Sequence, residues 1–427
     1  MKKKNKSNAP ADGHGQQGKK ANWKDYLATV EDIQNFLMDR VLLRYNVVTR
    51  RVEYRWADQK EWDNMSDRIV NTFWSELSQQ KQVRATDIYR VLDSDFVPEY
   101  NPFAFYLSQL PQWDGRNHIL VMSTSVQVKG GVEEQMRFYR YLQKWFVAMV
   151  AAWIDPSVVN NVILVLIGEQ GSYKTTWFNY IMPPELRHYF YTKTNAGRLS
   201  RDDLLTLAQY GLVCCEELDT MRPAELNQLK AAVTMTSIDE RAAYAHYHEH
   251  RHHIASFCGT GNNMQFLSDP TGNRRWLPFE VESIDSPRAH PFDYQNIYAE
   301  AYALYKQGFR YWFSHDEITE LNAHNQQFET PRLESELVQL YFRRPVGVES
   351  GMFMSVARAM QIVSANISQK LSPVYMGRAF MEQGFQRVKS CGVRGYIVEQ
   401  RTADEIRHMQ RQMAETDNSM DTGQYGQ

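Results

Sequence analysis

The sequence predicts an α/β protein built around a three-layer domain, and three observations carry that expectation. Val162-Ile-Leu-Val-Leu-Ile167 is a continuous apolar, β-branched run, as in a parallel strand covered on both faces. Two further runs, Leu212–Cys215 and Ile254–Cys258, follow with helix-compatible segments between them. The first run ends directly in Gly168-Glu169-Gln170-Gly171-Ser172-Tyr173-Lys174-Thr175-Thr176, a glycine-containing loop that leads into a segment suited to a helix, Trp177–Ile181.

At 427 residues, two to four structural units are expected. A hydrophobic content of 43% and a charged content of 23% are those of a globular chain. The formal net charge of -2 excludes a chain-wide basic signal for nucleic acid, so contact with DNA must come from local patches. Cys214, Cys215, Cys258 and Cys391 show no CxxC spacing, and the first three sit in strand-like runs, which predicts reduced core thiols and a bacterial cytoplasmic setting. The basic N-terminus has no apolar stretch behind it, against a secretory leader, and Phe146–Ile154 is too short to cross a bilayer.

In chain order, the pattern predicts a disordered basic arm over 1–22, a mostly helical region over 23–157, a P-loop ATPase core over 158–285, and a helical connection over 286–345. A winged-helix-like domain is expected over 346–412 and a disordered tail over 413–427. Within the second region, Val30, Ile33, Phe36 and Leu37 recur at helical spacing, Val47–Trp56 alternates as a hairpin could, and Arg137–Ile154 reads as one long helix. The C-terminal expectation rests on order: helices Ser355–Ala365 and Ser372–Gln383, then two short strands hinged at Ser390–Gly392.

In a loop of the Gly168–Thr176 kind, successive N–H groups and a helix N-terminus face phosphates; Gly168, Glu169, Gln170, Gly171, Ser172, Tyr173, Lys174, Thr175 and Thr176 would form the cradle. Lys174 would meet the β- and γ-phosphates and Thr175 would bind Mg²⁺. The usual pattern is G-x-x-x-x-G-K-[ST], and Tyr173 stands where its second glycine belongs, which restricts the backbone. After the second strand, Glu216 is expected to join Thr175 in the metal shell and Glu217 to polarise water, although the order could be reversed and paired acids often form a solvated strand end. After the third strand, Asn262 could orient water, or cap a turn. Of Arg274 and Arg275, one is a candidate finger for a neighbouring subunit's ATP, the alternative being a surface pair on Trp276.

Between the second and third runs, His246, His248, His250, His252 and His253 invite a metal reading, but no Cys or further acid completes a tetrahedral set. A hairpin presenting Arg241, Tyr244 and Arg251 to DNA fits better, and a plain solvated hairpin fits as well. Lys389 and Arg394, with Arg387 and Arg378, could touch phosphates from the presumed wing, or the unit could dock protein.

Taken in order, these pieces resemble the virulence-associated protein E (VapE) family of phages, genomic islands and conjugative elements, which is similar to superfamily 3 helicases. The residues that carry the resemblance are Asn101-Pro102-Phe103, Tyr106-Leu107, Trp113-Asp114-Gly115, Gly168–Thr175, Glu216-Glu217-Leu218-Asp219, Leu229-Lys230, Arg241 with Tyr244, Gly259–Asn262 and 271–275. The resemblance implies an AAA+-like P-loop ATPase acting on DNA as a ring, a homo-hexamer, during replication of a mobile element. No primase motif precedes the loop, so a separate primase would be a partner. The expected cofactors are ATP and Mg²⁺; the alternative function is a nucleotide-dependent loader or initiator that grips DNA without unwinding it.

Overall fold

The computed structural model describes residues 26–193, 201–240, 249–267, 273–330, 332–345, 351–364, 371–390 and 392–411. It is a mixed α/β protein in two compact units, the first running to Asn262 and resuming over Arg275–Glu317, the second comprising Asn263–Arg274 and the chain from Ile318.

The first unit begins with α1 (Val30–Met38), β1 (Val41–Asn46), β2 (Arg51–Trp56), β3 (Asp63–Asn64), α2 (Asp67–Ser78), α3 (Ala85–Leu92) and β4 (Glu99–Tyr100). A reciprocal cap starts α1: Asp32 N donates to Thr29 Oγ1 at 3.2 Å and Thr29 N to Asp32 Oδ2 at 2.8 Å. Its periodic residues Ile33, Phe36 and Leu37 are buried against Phe73, Ile88 and Val91 of the next two helices. The hairpin foreseen at Val47–Trp56 begins six residues earlier and ends where expected, since Val41–Asn46 pairs with Arg51–Trp56 and Val47–Arg50 form the turn. The region expected to be mostly helical thus carries a four-stranded sheet, ordered β3-β2-β1-β4.

Next come α4 (Pro102–Ser108), α5 (His118–Ser123), β5 (Val126–Val128), α6 (Gly131–Ala152), β6 (Ile163–Ile167), α7 (Lys174–Ile181), β7 (Phe190–Lys193) and α8 (Arg201–Gln209). The unit continues through β8 (Leu212–Cys215), α9 (Pro223–Val233), β9 (Ser237–Glu240), β10 (Glu249–His252), β11 (Ser256–Gly261), β12 (Trp276–Ile284) and α10 (Tyr294–Lys306). A six-stranded sheet runs β5-β12-β6-β11-β8-β7, parallel from β12 to β7 and antiparallel only at β5. Every residue of β6, β8 and β11 is buried, which is why β6 and β8 read as unbroken apolar runs. Tryptophans on α6 and at its C-terminal cap fix the sheet: Trp145 Nε1 donates to Phe257 O at 2.9 Å, and Trp153 Nε1 to Gly211 O at 3.1 Å, just ahead of β8. No helix among the described residues is long and apolar enough to cross a membrane.

Glu300, fully buried on α10, accepts from Ile119 N at 2.8 Å and so caps the first turn of α5. Burial pushes its carboxyl pKa up, and backbone N–H groups of Ile119 and His118 only partly oppose that. The folded chain therefore holds this proton more tightly than the unfolded chain. The associated stability is complete below the unfolded carboxyl range and is lost as pH rises through the folded value. Glu300→Gln keeps the acceptor oxygen without the charge. Thermal unfolding should show the variant gaining stability over wild type from pH 5 to pH 8; parallel pH curves for the two would contradict this.

The second unit holds most of α11 (His315–Asn325), then α12 (Leu333–Tyr341), β13 (Phe342–Arg343), β14 (Met352–Ser355), α13 (Val356–Ser364), α14 (Pro373–Glu382), β15 (Arg387–Ser390) and β16 (Val393–Gln400). Its core gathers Val338, Met354, Val363, Met376, Phe380 and Tyr396. β16 is the central strand, pairing antiparallel with β13, β14 and β15.

A candidate functional site at the strand ends

Beyond the C-terminal end of β6 the chain turns through Gly168–Tyr173 into α7. Gly168 N donates to Gly261 O at 3.1 Å, so the loop leaves the sheet beside the end of β11. Gly171 takes φ +83°. Tyr173 takes φ +62°, the left-handed conformation a glycine would adopt there, with its ring turned out to solvent. The departure from the usual pattern is absorbed as local backbone strain, about 1–2 kcal/mol for a residue with a Cβ. Tyr173→Gly should leave the melting temperature unchanged or higher, whereas Tyr173→Val, branched at Cβ, should lower stability by about 1 kcal/mol. Equal melting of the Val variant and wild type would refute the strain.

Lys174 is only 7% exposed. Its ammonium donates to Gly168 O at 2.7 Å, Glu169 O at 2.6 Å and Ser172 Oγ at 3.2 Å. Burial lowers its pKa, opposed by the carboxylates of Asp219 and Glu169. One residue on, Thr175 Oγ1 donates to Glu216 Oε1 at 2.8 Å. Glu216 is itself tied to the edge of the sheet, its N–H donating to Lys193 O at 3.1 Å. Glu217 is exposed, takes φ +54°, and caps a short turn, Thr220 N donating to its carbonyl at 2.9 Å. The two adjacent acids therefore diverge, one bonded to Thr175 and the other open to solvent.

β11 lies between β6 and β8 and ends on small residues. A Cβ on Gly259 would stand 2.2 Å from Leu218 Cδ1, and one on Gly261 3.2 Å from Asp219 Oδ1. The absence of side chains there lets the Leu218–Thr220 turn rest on the strand. Together these elements line a cleft of about 390 Å³, walled by Gln170–Thr176, Glu216, Glu217, Thr260, Gly261 and Asn262. Ten of the expected site residues, Gln170, Gly171, Ser172, Tyr173, Lys174, Thr175, Thr176, Glu216, Glu217 and Asn262, thus converge on one cavity. Asp219 is the acid to which sequence reading attached no role; the glycines at Gly259 and Gly261 are the signal that the segment holding it packs closely.

Arg274 is exposed and Arg275 half-buried on the short turn Asn273–Arg275 that opens β12; Arg275 does not line the cleft. Arg251 corrects an expectation. It is 5% exposed, and its Nη2 donates to Val48 O at 2.7 Å and Ala208 O at 3.2 Å, so it braces the fold and does not face solvent as a hairpin DNA contact would. β9 and β10 do pair, with His250 opposite Asp239 and its Nδ1 bonded to Asp239 Oδ1 at 2.8 Å. Arg241, Tyr244, His246 and His248 lie outside the described residues. In the second unit Lys389 and Arg394 are exposed and directly opposite one another across β15 and β16.

The mixed α/β fold with a polar cleft at its strand ends can now be set beside known proteins. The family model for the virulence-associated protein E-like domain matches residues 107–330, just over half of the chain. The chain belongs to that family. Among solved structures it is similar to an apo structure of the NrS-1 C-terminal region, at 9% sequence identity and a TM-score of 0.46, covering 86% of this chain and 98% of that one. An A-form apo structure of the same region aligns over the same shares at 11% identity and a TM-score of 0.44. No curated protein matches.

Proposed function

We propose that this chain is an ATP-hydrolysing DNA helicase or replication-initiator ATPase of a phage or mobile element, working as a ring on DNA. The observation that carries the reading is the 2.8 Å bond from Thr175 to Glu216, in a cleft that Lys174 also lines. It joins the residue after the loop lysine to an acid two strands away across the sheet, as an AAA+-like P-loop core requires.

The donor set fits ATP with Mg²⁺. Thr175 and Glu216 offer hard oxygen ligands, Lys174 a confined cation, and the left-handed residues Gly171 and Tyr173 turn the loop ahead of α7. Bound there, Mg²⁺ supplies charge neutralisation on the phosphates. Thr175 and Glu216 hold it; Lys174 turns from the loop carbonyls to the β- and γ-phosphate oxygens. Glu217 takes the proton of the attacking water and Asn262 orients that water. Arg274 or Arg275 serves a neighbouring subunit's ATP in a homo-hexamer. In the second unit, two helices followed by the β15–β16 hairpin support a winged-helix-like reading, with Lys389 and Arg394 on phosphates. A separate primase and a bacterial cytoplasmic setting complete the proposal.

The test is ATP turnover by the full chain with and without single-stranded DNA, beside unwinding of a forked duplex. Stimulation by DNA with strand separation is expected. Stimulation without separation selects a loader or initiator, and turnover indifferent to DNA overturns the reading.

A further inference from the structure

β7 stands at the edge of the six-stranded sheet, paired with β8 along one side. The end of an edge strand has no ladder on its outer side to hold it. The last residue of β7, Lys193, lies opposite Cys215, and its carbonyl accepts the N–H of Glu216 at 3.1 Å. The backbone of the acid that meets Thr175 therefore hangs on the final carbonyl of an edge strand.

An ion pair keeps that carbonyl in place. Lys193 Nζ donates to Asp203 Oδ1 at 2.9 Å, and the two side chains are only 9% and 16% exposed. Taking two charges out of water is costly, so a pair of this kind adds little net stability and serves better to fix one geometry. Asp203 lies in the first turn of α8, and the far end of α8 is fastened in turn. Leu207 O accepts from Ile254 N at 2.9 Å and from Ala255 N at 3.0 Å, the residues that lead into β11. The edge of the sheet is thus held, through a helix, to one of its central strands. Lys193 does not line the cleft, so any effect it has on chemistry there passes through Glu216.

We propose that the Lys193–Asp203 pair is a positioning device for Glu216: it fixes the end of β7 so that the Glu216 carboxylate stays where Thr175 and Mg²⁺ meet it. The metal part rests on the function proposed above; the hold on the Glu216 backbone does not. An ion pair that merely stabilised the fold would act on the whole sheet alike.

Amide hydrogen exchange and nucleotide binding by the full chain separate the two. In Lys193→Met and in Asp203→Asn the Glu216 amide should exchange about tenfold faster, while amides of β6 and β11 keep their wild-type rates. The affinity for a fluorescent ATP analogue should fall about tenfold in Mg²⁺, the loss typical when a group that orients a metal ligand is removed, and should be unchanged in chelator. Lys193→Arg, which keeps a cation within reach of Asp203, should stay near wild type in both measurements. Exchange that quickens equally across the sheet, or a loss of affinity that persists in chelator, would mark a purely structural pair and overturn the proposal. So would wild-type exchange at Glu216 in the folded variants, or a Lys193→Arg variant as impaired as Lys193→Met. Asp203→Asn preserves the side-chain shape and keeps the test decisive if Lys193→Met does not fold. Wild-type nucleotide affinity indifferent to Mg²⁺ would count against the reading of the cleft, and the exchange rates would still decide the hold on Glu216.

Discussion

Lys174→Ala should reduce ATP turnover by about 100- to 1,000-fold, the loss typical when one preorganised donor to a developing charge is removed. The chain should remain folded. Lys174 reaches no distant element: its three bonds are to Gly168, Glu169 and Ser172 of its own loop, whose polar atoms border a cleft that water enters. Its charge, moreover, is disfavoured by burial, so deleting it relieves a desolvation penalty. Lys174→Met separates charge from packing, since the thioether chain fills the stem's place. Steady-state kinetics on both variants should show equal losses in kcat, with melting temperatures within a few degrees of wild type. Turnover that survives either substitution would remove Lys174 from the chemistry and with it the proposed use of the cleft.

The second large effect is expected far from any charged group. Gly259→Ala places a methyl 2.2 Å from Leu218 Cδ1, a separation no packed pair tolerates, and 3.2 Å from Cys215 O, which is tight. Leu218 is 1% exposed and cannot swing into solvent without opening the core. The Leu218–Thr220 turn must shift away from β11 instead, at about 1–3 kcal/mol for overpacking. Because Glu216 and Glu217 immediately precede that turn, the displacement moves both acids relative to Thr175. Gly259→Ala should therefore lower the melting temperature and, at a temperature where the variant remains folded, lower kcat more than nucleotide affinity. Restoring room with Leu218→Ala should recover part of the lost turnover. Wild-type stability and turnover in Gly259→Ala would show that the contact is slack.

How much of this was legible beforehand differs from element to element. The runs at 162–167 and 212–215 became β6 and β8 because strands covered on both faces need unbroken apolar sequence, a pattern visible in one dimension; of the run at 254–258 only the last three residues fall in β11, which continues through Gly259, Thr260 and Gly261. The helices over 355–365 and 372–383 lie within two residues of their expected ends; Ser372 caps the second and Pro373 follows it, a start signal written locally. The early sheet was obscured because β1 (VLLRYN) alternates poorly and β2 carries three charged residues in six positions. Arg251 was misread for a related reason. A charged residue in a polar hairpin is ordinarily solvated, and only the approach of the Val48 and Ala208 carbonyls, remote in sequence, buries it.

By itself the sequence determined the family, the parallel strands, the loop that follows the first of them, and the residues that gather in one cleft. These depend on local chemistry: β-branched runs, glycine at a turn, a lysine and a threonine at a helix start. Only the tertiary structure decided that Tyr173 could keep a left-handed backbone by turning its ring outward, and that Thr175 meets Glu216 rather than Glu217. It alone brought the Lys193–Asp203 pair beside the backbone of Glu216. Those outcomes depend on which carbonyls and side chains arrive from elsewhere in the chain, and spacing along one segment carries no record of them.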